Sequence, residues 1–321
     1  MIAVNTDGKL LKIEEAEEMF NRVLPENEEW KIYSDLKSML PDKDKIDIVF
    51  NASRKLQAEE LRKLCKLRWI FSYSAGVEHY PLDELEKSGV ILSNTSGVHA
   101  KNIAEQVMGA MIMFSRNLFA ACENQKKKIY DREIPLGELS GQNLLIIGTG
   151  SIGREIARKA KAFDMNVTGI RNRSGRERPK YFDAVYTADS LEEQLGGVQY
   201  IVCVVPSTDK TRGLFNRDKF ELMSRDAVFI NVGRGDLIDE RALIEALKTK
   251  RIRGAYLDVF PTEPIPENSE FWDLDNLLIT PHNAGRTPNY LPRSMEIFLE
   301  NLKRFRKGEE LINRIDCALK Y

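Results

Sequence analysis

Residues 144–163, LLIIGTGSIGREIARKAKAF, leave few folds open. An apolar run, Leu144 to Ile147, stops at Gly148. Thr149, Gly150, Ser151, Ile152 and Gly153 follow, and Ile152, Ile156, Ala160 and Phe163 then recur at helical spacing. Strand, glycine turn and helix in that order are the context in which G-x-G-x-x-G means a dinucleotide site. Gly148 makes the tight turn, Gly150 lets a pyrophosphate approach the backbone, and Gly153 lets the helix lie close to the strand. The helix N-terminus adds unpaired N–H groups and the positive end of a dipole. The competing reading, a strand–helix turn that binds nothing, does not require three glycines at this spacing.

The rest of the chain repeats the alternation. Before the glycine turn, strands are expected at 47–50, 69–73 and 90–93; after it, at 166–170, 184–186, 200–205, 227–231, 254–257 and 277–280. Most are continuous apolar runs, the pattern of parallel strands buried on both faces. Helices are expected at 57–67, 101–122, 240–249 and 292–307, the second of them strongly apolar. The glycine-turn strand should open its Rossmann unit, yet it lies mid-chain, so another α/β unit must precede it. The expected class is α/β with two doubly wound domains. A Rossmann domain over 98–285 is inserted in a flavodoxin-like domain built from 1–97 and 286–321, with a cleft between them.

Composition narrows the partners. The chain carries 48 basic and 49 acidic residues, so nothing in the global charge points to nucleic acid or an anionic membrane. No apolar run is long enough to cross a bilayer, and the first residues lack the basic and apolar regions of a secretory signal. Cys65, Cys122, Cys203 and Cys317 are scattered without a CxxC, and read as reduced, mostly packed thiols of a cytoplasmic protein with no metal site. The basic run Lys126–Lys128 reads as a solvated helix end.

The end of the second Rossmann strand selects the nucleotide. An acidic residue there would hold a ribose 2′-OH. This chain has Arg171, followed by Asn172, Arg173 and Ser174, with Arg176 close by. Guanidinium groups and a hydroxyl suit a 2′-phosphate. NADP(H) is therefore expected in preference to NAD(H), which remains possible.

Three segments follow strand ends in order: Asn231-Val232-Gly233-Arg234-Gly235, Asp258-Val259-Phe260-Pro261-Thr262-Glu263-Pro264, and Thr280-Pro281-His282-Asn283-Ala284-Gly285. In an open α/β sheet, ligands bind beyond the carboxyl ends of the strands. Ketone reduction by a nicotinamide needs a proton donor at the carbonyl oxygen, and His282 suits that role near neutral pH. A carboxylate such as Glu263 beside it would favour the imidazolium. Arg234 would grip a substrate carboxylate and polarise the carbonyl. His79 and His99 read more simply as surface or hydrogen-bonded loop residues.

With these segments in view, the chain resembles the D-isomer-specific 2-hydroxyacid dehydrogenases. The resemblance is carried by GTGSIG at 148–153, VPSTDKTRGL at 205–214, INVGRGDLIDERAL at 230–243, AYLDVFPTEP at 255–264 and TPHNAG at 280–285. SAGV at 74–77 and NTSGVHAKNIAE at 94–105 extend it over nearly the whole chain. It implies that Arg234 orients a 2-oxoacid, with His282 as acid/base and Glu263 as its partner. It implies that the backbone amides of Ala75 and Gly76 hold the substrate carboxylate, and that Ser151 and Ile152 contact the pyrophosphate. Val205, Pro206 and Thr211 would line the adenosine side, with Val232, Gly233 and Asp258 near the nicotinamide. It also implies a homodimer with the 101–122 helix in the interface. Arg171 in place of an acid is similar to the family's NADP(H)-using glyoxylate and hydroxypyruvate reductases. Glu78 stands where many members have Asp, and Glu263, not Gln, argues against the formate dehydrogenase branch. Tyr73, His99 and Tyr290 are candidates for setting substrate size. The alternative class is a dinucleotide-sensing corepressor resembling the C-terminal-binding protein.

Overall fold

Side chains of successive strand residues point to opposite faces, so a strand apolar throughout needs helices on both sides. This protein meets that need twice. The structure, a computed structural model, describes residues 1–53, 58–77, 79–172, 175 and 177–317. The chain divides into two compact units, Met1–Val98 with Pro288–Tyr321, and His99–Thr287.

The first unit holds strands β1 Ile2–Asn5, β2 Trp30–Tyr33, β3 Ile48–Asn51, β4 Trp69–Ser72 and β5 Ile91–Asn94. They form one parallel sheet in the order β2-β1-β3-β4-β5, the flavodoxin-like order. Its helices are α1 Ile13–Val23, α2 Leu36–Met39, α3 Ala58–Leu61, α4 Leu82–Ser88 and, from the end of the chain, α11 Tyr290–Lys307. Ile2, Val4, Ile48, Phe50, Trp69 and Phe71 face α1 and α11, where Phe298 stands among Phe20, Phe50, Trp69 and Phe71. Ala3, Val49, Ile70 and Leu92 face α2 and α4 on the other side. After α11 the chain returns to the edge of β5, where Ile315 N–H donates to the Leu92 carbonyl at 2.8 Å and Ser93 bridges Arg314 antiparallel.

The second unit holds β6 Asn143–Ile147, β7 Asn166–Arg171, β8 Ala184–Thr187, β9 Tyr200–Cys203, β10 Val228–Asn231, β11 Gly254–Leu257 and β12 Leu277–Ile279. The parallel sheet runs β12-β11-β10-β9-β6-β7-β8, so the order reverses at β6, between β9 and β7, as in a Rossmann sheet. Leu144, Ile146, Val202, Ile230 and Tyr256 pack beneath α5 Ala100–Ser115 and α7 Ser151–Lys161. Leu145, Ile147, Ile201, Phe229 and Leu257 pack beneath α8 Leu191–Leu195, α9 Arg217–Leu222 and α10 Glu240–Lys248.

Several expectations change. The helix expected over 101–122 is two, α5 and α6 Leu118–Lys126, because Asn117 between them takes a left-handed φ of 49°, a conformation that Asn tolerates and that ends a helix. Of the helix expected over 57–67, Gln57 lies outside the described residues, Ala58–Leu61 is helical, and the remainder closes in turns at Leu64 and Leu67. The strand expected over 200–205 stops at Cys203, and Val204 and Val205 enter the loop. Phe163 lies past the end of α7 and is exposed. All four thiols are free, but only Cys203 is buried, and burial pushes it up to about 12; Cys65 and Cys122 are exposed. Lys126–Lys128 is a solvated helix end. No described helix is long and apolar enough to cross a membrane.

Candidate active site

The three glycines of the turn meet three different surroundings. Gly148 has φ +108°, and a Cβ there would press on Val204 and Val205 at 3.1 Å; its N–H donates to the Ile170 carbonyl at 2.9 Å, closing β6 on β7. A Cβ on Gly153 would stand 1.9 Å from the Gly148 carbonyl oxygen, so α7 lies on the turn with no room for a side chain. Gly150 differs, because a Cβ there would meet nothing within 4 Å. The space above it is open. Ser151 and Ile152 begin α7 directly beyond, half-buried, and Gly150 supplies no side-chain cap, so first-turn amides of α7 have no partner within the helix. Open space over amides at the positive end of a helix fits a dinucleotide pyrophosphate.

Arg171 ends β7, half-buried, and its Nη1 donates to the Glu177 carbonyl at 3.1 Å. That bond holds the guanidinium at the strand end where the ribose-binding residue belongs. Asn172 follows, exposed. Arg173, Ser174 and Arg176, expected to share in phosphate recognition, lie outside the described residues, as does Glu78.

The Arg234 turn is pressed between two neighbouring loops. On one side a Cβ at Gly233 would come within 2.9 Å of the Val205 carbonyl oxygen; on the other, a Cβ at Gly235 would come within 1.9 Å of the Phe260 carbonyl carbon. Asn231, fully buried at the end of β10, ties the turn internally. Its Oδ1 accepts from Gly233 N–H at 3.1 Å and its Nδ2 donates to the Arg234 carbonyl at 2.8 Å. The Arg234 side chain is left exposed, with Nη1 donating to the Gly233 carbonyl at 2.8 Å. Val232 is buried beside it. In the loop after β9, Thr211 Oγ1 donates to the Pro206 carbonyl at 2.7 Å and accepts from Thr208 N–H at 2.8 Å, so this hydroxyl shapes the loop itself.

Glu263 and His282 meet directly. His282 Nδ1 donates to Glu263 Oε2 at 2.7 Å, and Phe260 N–H donates to Glu263 Oε1 at 2.9 Å. Burial works against the Glu263 carboxylate. The hydrogen bonds from His282 and Phe260, with the charges of His282 and Arg234, outweigh burial and hold it below the usual carboxylate range. His282 has a left-handed φ of 49°, uncommon for a residue with a Cβ. Its N–H donates to the Asp258 carbonyl at 2.9 Å. The Asp258 carboxylate, 3% exposed, accepts from Thr280 Oγ1, from Asn283 N–H at 3.0 Å and from Ala284 N–H at 3.1 Å. Tyr256 OH lies 2.9 Å from Thr280 Oγ1 and supports it from below. Asp258 is thus engaged by the loop that presents His282. From α5, Asn102 Nδ2 donates to the Ala284 carbonyl and His99 Nδ1 to the Gly285 carbonyl, each at 2.7 Å. Sequence reasoning missed Asn102 and Asn231 and the anchoring role of His99; the only signal was their place inside segments already quoted.

In the other unit, Ala75 and Gly76 follow β4. Asn94 Nδ2 donates to the Ala75 carbonyl at 2.6 Å, and Ser74 Oγ donates to the Gly76 carbonyl at 2.7 Å. In a trans peptide the N–H points opposite to the carbonyl. Drawing these two carbonyls onto side chains therefore turns the Gly76 and Val77 N–H groups the other way. Tyr73 and Tyr290 pack edge to face with ring centroids 4.9 Å apart, and Tyr290 OH donates to the Tyr73 carbonyl at 3.1 Å. Among the described residues, no three His, Cys, Asp or Glu side chains gather as a metal site would require.

The contrast between two glycines is testable. Gly150→Ala, in open space, should leave thermal stability within about 0.5 kcal/mol of the parent while weakening NADPH binding at least about tenfold, read by nucleotide fluorescence. Gly153→Ala should lower stability itself by about 1–3 kcal/mol. Unchanged NADPH affinity in Gly150→Ala would remove the pyrophosphate from that space.

Known proteins resemble this chain in sequence and in fold. Residues 108–284 match the model of the D-isomer specific 2-hydroxyacid dehydrogenase NAD binding domain. The chain is 34% identical over 268 residues to a D-3-phosphoglycerate dehydrogenase of Methanocaldococcus jannaschii, a match covering 83% of this chain but only 51%, about half, of that longer relative. It is 31% identical over 275 residues to a glyoxylate reductase of Pyrococcus furiosus, covering 83% of this chain and 81% of the relative. Among solved structures, an NADPH-dependent glyoxylate/hydroxypyruvate reductase from Sinorhizobium meliloti, in complex with NADP and sulfate, superimposes with a TM-score of 0.78 at 27% identity. That match covers 100% of this chain and 99% of the other. The chain belongs to the D-isomer specific 2-hydroxyacid dehydrogenase family of NAD(P)-dependent oxidoreductases.

Proposed function

We propose that this protein reduces a small 2-oxoacid, of the glyoxylate or hydroxypyruvate class, to the D-2-hydroxyacid with NADPH preferred over NADH. The observation that carries the reading is the 2.7 Å bond between His282 Nδ1 and Glu263. A carboxylate can only accept, so Nδ1 is the donor in that bond and Nε2 is the nitrogen that exchanges a proton with substrate. When bound, the nicotinamide supplies the hydride. His282 Nε2 delivers a proton to the carbonyl oxygen as its negative charge develops, and Glu263 stabilises the charged ring before that transfer. Arg234 grips the substrate carboxylate and draws electron density from the carbonyl. The Ala75 and Gly76 amides are assigned to a substrate carboxylate on the resemblance of their segment, and the direction given to the Gly76 N–H by Asn94 supports this.

His282→Gln should lower kcat for 2-oxoacid reduction by about 10²- to 10⁴-fold in a protein that still binds NADPH; near-parental turnover would end the assignment. Glu263 is held below the usual carboxylate range by the hydrogen bonds from His282 and Phe260, so near neutral pH it is ionised and accepts from His282. Glu263→Gln replaces the acceptor-only carboxylate at His282 Nδ1 by an amide that can also turn a donor toward it. The value of kcat for 2-oxoacid reduction should fall at least about tenfold, and an unchanged kcat would separate Glu263 from the acid/base step.

Preference for NADPH rests on Arg171 at the end of β7. Its replacement by Ala removes a charge-assisted contact to the 2′-phosphate, each worth about 1.5–3 kcal/mol. The ratio of kcat/KM for NADPH over NADH should fall at least about tenfold, and an unchanged ratio would take Arg171 out of nucleotide selection.

The protein is proposed to work as a homodimer. No residue of α6 is buried, and the segment after it exposes Ile129, Tyr130 and Leu136. Large apolar side chains clustered in this way mark an interaction surface. Light scattering should give the mass of two chains, and Tyr130→Asp with Leu136→Asp should give one. A monomeric parent would refute the dimer.

A further inference from the structure

We propose that Asp236 is a positioning residue that couples the loop after β9 to the turn carrying Arg234, so that nucleotide and 2-oxoacid bind cooperatively. The proposal rests on the function given above and concerns a residue to which the reaction itself assigns nothing.

Asp236 holds the loop 205–213 at three points. Its backbone carbonyl accepts from Gly213 N–H at 2.8 Å. Its carboxylate Oδ2 accepts from Ser207 Oγ at 2.5 Å and from Arg212 Nε at 3.5 Å. The other oxygen, Oδ1, is buried with no donor among the described residues. Ser207 and Arg212 are thus the side-chain donors to this part-exposed carboxylate, and the Ser207 bond, at 2.5 Å, is the shorter of the two.

The link from Asp236 to Arg234 is short and stiff. One residue, Gly235, separates them, and the 3-10 turn Gly235–Leu237 fixes its backbone. Gly235 has no freedom to swing, because its backbone lies directly on Phe260. Beyond the turn, Phe215 N–H donates to the Leu237 carbonyl at 2.9 Å. A shift of the 205–213 loop must then either move the Arg234 turn or break the Ser207–Asp236 bond. Gly233 against Val205 blocks the remaining direction of slip.

Val205, Pro206 and Thr211 belong to the loop assigned to the adenosine side, and Arg234 to the substrate. Two ligands that each order one end of a rigid bridge stabilise the same arrangement, so each lowers the cost of binding the other by an equal factor. Asp236 is the bridge, and Ser207 is its partner.

The experiment is an equilibrium titration of NADPH, followed by its own fluorescence, with and without saturating oxamate, a non-reducible analogue of a 2-oxoacid. In the parent protein, oxamate should tighten NADPH binding at least about fivefold. Asp236→Ala should bring that factor below about twofold, and so should Ser207→Ala. The double variant should lose no more than either alone, as expected for two groups in one interaction. Asp236→Asn keeps an oxygen that accepts from Ser207 and should retain most of the coupling. If Asp236→Ala does not fold, Ser207→Ala and Asp236→Asn decide the matter. A coupling factor near one in the parent overturns the proposal. So does a parental factor in Asp236→Ala or Ser207→Ala, even where thermal unfolding occurs earlier, because Asp236 would then be structural only. The titration needs no turnover. A parent that couples the two ligands but reduces no 2-oxoacid overturns the function and leaves the coupling; one that reduces glyoxylate without coupling does the reverse.

Discussion

Backbone lying directly on backbone is the constraint from which the nucleotide-binding unit is built. Gly153 rests on Gly148, Gly233 on Val205 and Gly235 on Phe260, each without space for a Cβ. The first contact sets the start of α7 against the end of β6. The other two fix the Arg234 turn between the loops that follow β9 and β11. Elements that touch through main chain have no side chains between them to adjust, so the loops at the carboxyl edge of the sheet are placed by the strands themselves. That rigidity suits a site in which an error of an ångström costs rate. It also explains why glycine is required at these points for contact, whereas at Gly150 the open space belongs to a ligand.

Two carboxylates a few residues apart serve different ends because their surroundings differ. Asp258 is buried and accepts from two amides and a hydroxyl, which satisfy a charge that would otherwise be costly in the interior. Its role is to hold the His282 loop in a backbone conformation that a side-chain-bearing residue seldom adopts unaided. Glu263 is more open, bonds one amide, and keeps its second oxygen for His282. One acid spends its bonds on the loop; the other spends one on the imidazole that the loop presents.

Much of this was legible in the sequence because the signals were periodic or chemically narrow. Continuous apolar runs marked ten of the described strands, and the glycine turn marked the point where strand order reverses. Glu263 and His282, singled out with Arg234 by residue type at strand ends, do meet in the structure. Three elements at the beginning escaped. β1 has four residues, β2 mixes Lys31 into its run, and α1 hides Ile13, Ala16, Met19 and Phe20 among four glutamates. The break at Asn117 went unread because apolar spacing continues on both sides of it; Asn, a weak helix former that tolerates a positive φ, was the available signal. Asn102, Asn231 and Asp236 were invisible for a different reason. Asn102 and Asn231 bind main chain that is distant in sequence or folded back on itself, and Asp236 accepts from side chains some twenty to thirty residues away; composition carries no trace of such bonds.

Several loop carbonyls at the carboxyl edges of the two sheets are held by side chains. Carbonyls of Ala75, Gly76, Gly233, Ala284 and Gly285 are taken by Asn94, Ser74, Arg234, Asn102 and His99, and the Asp258 carboxylate is taken by amides. What remains facing out is the first turn of α7 and the side chains of Arg171 and Arg234. The chain as a whole has a formal charge of −1, so no global field draws anions to it. Attraction for an anion is therefore local, from the first-turn amides of α7 and the guanidinium groups of Arg171 and Arg234. Fixed dipoles of this kind need not reorganise when a phosphate, a carboxylate or a developing alkoxide arrives. The side chains that hold these carbonyls fix the loops on which the proposed ligand-binding groups stand, and in that sense they support the site as much as the groups themselves do.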